Sequence, residues 1–99
     1  MRVEDNEDRI TPSSGNVFVD LGFDEAEAQV LALRADVMLQ LYTEIKNRKL
    51  TQVEASRLLG VSQSRVSDLM RGKSEKFSLD MLVLFAAKLG IPAKLRLVA

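Results

Sequence analysis

Residues 51–72 read TQVEASRLLGVSQSRVSDLMRG, and the fold turns on them. Thr51 followed by Glu54 is a capping box, in which the hydroxyl and the carboxylate each satisfy a free first-turn amide. A helix therefore starts at Gln52 and runs to Leu59. Gly60 supplies the left-handed conformation that ends it. Only Val61 separates Gly60 from Ser62, itself an N-cap residue, so a second helix starts at once and runs to about Arg71 before Gly72. Two short capped helices on a tight glycine turn form a helix-turn-helix pattern. Ala55 and Ser56 are small enough for the crossing, and Val61 plugs the turn. The first helix is expected to bury Val53, Leu58 and Leu59, and the second Val66, Leu69 and Met70.

Outward from this pair, Asp24 caps a long helix expected over about 24–48, with Glu25 and Glu27 in its first turn. Its apolar stripe is Val30, Leu33, Val37, Leu41 and Ile45, widened by Leu31, Met38 and Tyr42. Ser78 opens a helix from Leu79 to about Leu89, closed by Gly90, and Pro92 discourages further helix. Residues 1–16 read as disordered or extended. Asn16–Gly22 is a strand or an apolar strap, and the alternation Lys94-Leu95-Arg96-Leu97 predicts a short strand. The expectation is an all-α domain with short strands at its ends: an acidic arm at 1–22 and a binding domain at 23–99.

The 99 residues contain no Cys and no His. Disulfides, thiolate zinc sites and every His-based catalytic arrangement are excluded. Neither cofactor nor metal is expected, and no enzyme: a Lys or carboxylate site would need a pocket that so small a bundle seldom forms. The opening MRVEDNEDRI is acidic and lacks the apolar core of a secretory signal. The longest apolar run, Met81–Ala87, is too short for a membrane span, so a cytoplasmic protein is expected.

The formal charge of zero hides an asymmetry. Residues 1–30 carry two basic and eight acidic side chains, a balance of −6. Residues 46–76 carry eight basic and three acidic ones, a balance of +5. Taken alone, such asymmetry describes two solvated faces; next to a helix-turn-helix it points to nucleic acid.

The segment LTQVEASRLLGVSQSRVSDLMRGK resembles the helix-turn-helix of the Cro/cI-type repressors, the xenobiotic-response-element (XRE) family, with similarity over roughly residues 36–90. The shared pattern is Gln52, Gly60-Val61-Ser62-Gln63, Val66-Ser67, Leu69 and Gly72-Lys73. Ser56 stands where that family usually has Ala; its hydroxyl can bond back to a carbonyl one turn earlier. Ser14–Phe18, Asp20-Leu21-Gly22 and Phe77-Ser78-Leu79-Asp80 resemble, more narrowly, the single-domain HigA-like antitoxins and their stand-alone relatives. The resemblance implies a lambda-repressor-like bundle of four to five helices and a dimeric repressor on a palindromic operator. It also implies a cognate toxin as a candidate partner.

With Val66, Leu69 and Met70 inward, Ser64, Ser67, Asp68 and Arg71 turn outward, and Gln63 projects from the exposed first turn. Gln63 is the expected base reader, since Gln pairs bidentately with adenine. Ser62 and Ser64 lie beside it. Gln52, by the resemblance, contacts a phosphate and buttresses Gln63. Asp68 either accepts from cytosine or pairs along the helix with Arg65 or Arg71, the second being preferred. Arg65 is expected to reach phosphate or base, and Arg71, Lys73, Ser74 and Lys76 to hold backbone phosphates. Dimerisation is expected through a strand at 94–98 with Leu95 and Leu97 buried, or through the early half of the long helix. The acidic arm either holds a basic toxin, tunes DNA affinity by repulsion, or is a solubilising tail. The competing function is a protein-interaction adaptor that uses the same scaffold without DNA.

Overall fold

The computed structural model describes residues 15–98, and these fold as five α-helices and one 3-10 turn. They are α1 (Gly15–Asp20), α2 (Glu25–Asn47), α3 (Gln52–Leu59), α4 (Gln63–Met70), the 3-10 turn Ser74–Lys76, and α5 (Leu79–Lys88). Each of the four longer helices starts at a side-chain cap. Asp24, Thr51, Ser62 and Ser78 accept from the backbone amides of Glu27, Glu54, Arg65 and Met81. The Thr51–Glu54 box is closed in both directions, at 3.1 and 2.8 Å. Gly60 ends α3 at φ 71°, ψ 32°.

The core is the meeting point of α2, α4 and α5 with the end of α3. Met38, Leu41 and Ile45 of α2 pack with Leu59, Leu69, Leu82, Phe85 and Leu89. Phe77, just after the 3-10 turn, stands edge-on to Phe85 with ring centroids 6.1 Å apart. Fully burying a side chain of this size stabilises by about 1.5–3 kcal/mol, which fixes α4 against the bundle although it is only eight residues long.

Several expectations are corrected. Among the described residues there is no strand. Gly15 and Asn16, expected to be disordered or extended, begin α1, which runs to Asp20, with Leu21 and Gly22 in the turn after it. Of the two courses expected for 16–22 the strand is absent, and the segment lies against α2 as a strap. A strand needs a neighbouring edge for its amides, whereas one helical turn bonds internally. Here Leu21 donates to Val17 at 3.1 Å, and Phe23 folds back to the Phe18 carbonyl at 3.1 Å. Phe18 and Phe23 then meet edge to face, and α1 packs on α2. Residues 91–98 follow no regular structure, for the same want of an edge. The disorder expected for residues 1–14 lies outside the described residues.

Val53 and Leu58, expected inside, are 39% and 46% exposed. In an eight-residue helix one row faces inward, and Ala55 and Leu59, four apart, occupy it. On α2 the buried row includes Ala28 and Ala32, while Val30 and Tyr42 are exposed. Alanines let a neighbouring helix approach closely, so the inward face follows the small residues there rather than the β-branched ones.

Candidate nucleic-acid interface

The front of α4 is free. Ser62 closes it by accepting from the Arg65 amide at 3.2 Å, and Gln63 and Ser64 behind it are exposed. Gln52 is exposed in the first turn of α3, on a cleft lined also by Tyr42, Ile45, Lys46, Leu50, Val66 and Met70. The start of α3 thus opens on a cleft whose other wall includes Val66 and Met70 of α4. Ser56 bonds back to the Val53 carbonyl at 2.8 Å and closes its hydroxyl within α3. Behind the turn, Lys88 of α5 donates to the Leu59 carbonyl at 3.1 Å. It satisfies a free carbonyl at the end of α3 and ties the turn to α5.

The charged side chains of α4 are arranged by tertiary contacts. Arg65 does not extend to solvent. Its guanidinium lies over the Phe77 ring, 4.2 Å from the centroid, donates to the Lys76 carbonyl at 3.0 Å and points at the Met81 sulfur at 2.9 Å. A guanidinium on an aromatic face gains from the ring quadrupole, so Arg65 straps the 3-10 turn and α5 to the middle of α4. Asp68 pairs with neither Arg65 nor Arg71. Its two oxygens receive Lys73 at 3.6 Å and Lys76 at 3.3 Å. The physical reason is Gly72, at φ 73°, which reverses the chain. The Lys73 amide then bonds back to the Asp68 carbonyl at 3.1 Å, and the two lysines fall across the carboxylate. Burial opposes ionisation of Asp68, but the ammonium groups of Lys76 and then Lys73 outweigh it and hold the carboxyl below the usual carboxylate range.

Arg71 turns back onto α4, donating from Nε and Nη2 to the Ser67 hydroxyl at 3.2 and 2.8 Å, yet it remains exposed. The Ser74 carbonyl faces Arg34 of α2 at 3.5 Å. A cationic segment of Arg71, Lys73 and Lys76 therefore borders the far end of α4, while its near end offers Gln63 and Ser64. Leu95 and Leu97 are 66% and 89% exposed in the single chain. The roles of Phe77, Met81 and Lys88 in holding this surface were not readable from the sequence. Each contact spans eleven or more positions, and no local spacing signals it.

A family model described as a helix-turn-helix domain matches residues 17–97, and the chain belongs to that family. No curated protein matches the sequence. Among the described residues no helix is long and apolar enough to cross a membrane.

Proposed function

From this membership we propose that the protein is a sequence-specific DNA-binding transcriptional regulator of the Cro/cI (XRE) type, acting as a dimeric repressor on a palindromic operator. It works by occupying DNA and carries no catalysis of its own. The observation that supports this most is the free, Ser62-capped front of α4, with Gln63 and Ser64 exposed; Gln52 is exposed at the start of α3. A recognition helix reads base edges with its N-terminal residues in the major groove. Gln63 reads a base there, Ser64 assists, and the amides at the start of α3, with Gln52, hold a phosphate. Arg71, Lys73 and Lys76 hold phosphates on the far flank. Arg65 serves this surface from within, as the strap that fixes the flank. Dimerisation through residues 94–98 supplies the edge that the tail lacks in one chain and buries Leu95 and Leu97.

The test is oligonucleotide selection with the full chain, followed by titration of Gln63→Ala. The substitution is expected to cost about 1–3 kcal/mol on the selected site and to relax preference at one base pair. Equal losses on selected and scrambled duplexes reject base reading by Gln63. An adaptor that ignores DNA would show no steep salt dependence with any duplex.

The antitoxin reading rests on the other end of the molecule. Val17, Val19, Leu21, Phe23 and Val30 are exposed, among Asp20, Asp24, Glu25 and Glu27. An apolar patch with an acidic border suits a basic toxin. Co-expression with the product of the adjacent reading frame tests it: a stable complex lost with Leu21→Ser and Val30→Ser supports the reading, and no complex with the wild type rejects it.

A further inference from the structure

Asp68 is the one acidic side chain of α4, on the very surface proposed to face phosphates. It is also closely partnered by opposite charge. Its side chain is 17% exposed, against 38% for Lys73 and 46% for Lys76, and each of its oxygens faces one ammonium group. The backbone enforces this arrangement. Gly72 reverses the chain, the Lys73 amide bonds to the Asp68 carbonyl, and the Lys76 amide bonds to the Lys73 carbonyl, each at 3.1 Å. Arg65 holds the Lys76 carbonyl from the other side. The two lysines are thus balanced before any DNA arrives, by a carboxylate that occupies the place of a phosphate.

We infer that Asp68 is an intramolecular competitor for Lys73 and Lys76, and through them a specificity-determining residue for DNA. The inference rests on the DNA-binding reading above. On a duplex that does not seat the front of α4, the lysines stay with Asp68, and non-specific affinity is low. On the correct site, the contacts of Gln63 and Ser64 hold the backbone close enough for phosphates to draw the lysines away. Repulsion between Asp68 and the phosphates works in the same direction.

The experiment measures binding of the full chain to one mixed-sequence duplex across a salt series, comparing wild type, Asp68→Asn and Glu25→Gln. Glu25 is exposed at the start of α2, so its replacement removes the same charge away from α4. Each phosphate neutralised on duplex DNA adds about 0.9 to the salt slope. Freeing two lysines therefore steepens the slope of Asp68→Asn by about 2. Between about 200 and about 50 mM salt, its advantage over wild type grows roughly tenfold. Lys73→Met with Lys76→Met in the Asp68→Asn background erases that gain, and circular dichroism checks that each variant stays folded. An unchanged slope in Asp68→Asn, or the same gain in Glu25→Gln, overturns the competitor role while wild type still binds DNA. A wild type without salt-dependent binding to any duplex overturns the DNA reading itself, and this inference with it.

Discussion

Replacing Arg65 by Ala separates two readings of one residue. The sequence places it on the DNA-facing helix, as a contact to phosphate or base. The structure sets it against Phe77, Lys76 and Met81. The cost of removal follows from those contacts. A guanidinium 4.2 Å from an aromatic centroid and half-buried stabilises by about 1 kcal/mol. The charged donor on the Lys76 carbonyl is partly exposed and adds about 1 kcal/mol. Arg65→Ala therefore lowers the unfolding free energy by about 2 kcal/mol. For a domain of this size that is a fall in Tm of roughly 8–16 °C. Against a total stability of about 5–15 kcal/mol, the variant still folds. Urea and thermal unfolding followed by circular dichroism measure the change directly. DNA affinity falls as well, because the Lys76 segment loses its strap, but the salt slope changes little because no phosphate contact is removed. An unchanged unfolding midpoint, together with a salt slope shallower by about 1, would refute the strap and restore Arg65 as a phosphate contact.

Gly60→Ala forces a side chain into the left-handed region at φ 71°, with its Cβ 3.2 Å from the Lys88 ammonium; it is expected to cost about 1–2 kcal/mol in urea unfolding, with Gly60→Asn milder. The Asp68 carboxyl is expected to titrate below an unfolded Asp in a carbon-detected NMR series. Its folded pKa is depressed, so its contribution to stability is present above the unfolded pKa and lost as the pH falls through the folded value. The stability difference between wild type and Asp68→Asn therefore shrinks in acid; a difference independent of pH would contradict this. Removing residues 93–99 is expected to abolish the proposed dimer in sedimentation velocity, and an undiminished dimer would move the interface to α2.

The helices of the 51–90 region were legible from sequence because their start and stop signals are local. A capping residue and its target amide lie three positions apart, and a glycine ends a helix by its own backbone freedom. The same holds for Asp24 and α2. The free front of α4 was legible too: Val66 and Leu69 turn Ser64 outward, and Gln63 stands in the first turn, directly behind the Ser62 cap. The core positions Leu41, Ile45, Leu59, Val66 and Leu69 were read correctly; what failed were particular judgements that depended on which neighbour the folded chain supplies. The 16–22 segment has the residues of a strand but no edge to join; it is helical to Asp20 and takes the other course open to it, a strap against α2. Val53 and Leu58 are apolar enough for a core that has no room on their side of α3. Arg65 and Asp68 stand where a DNA contact would stand, but Phe77 and the reversal at Gly72 redirect both. Local chemistry determined where the helices begin, where they end and which surface the turn exposes. The charges on that surface meet partners five to sixteen positions away along the chain, which no local spacing signals, so those partners were decided only when the chain folded back on itself.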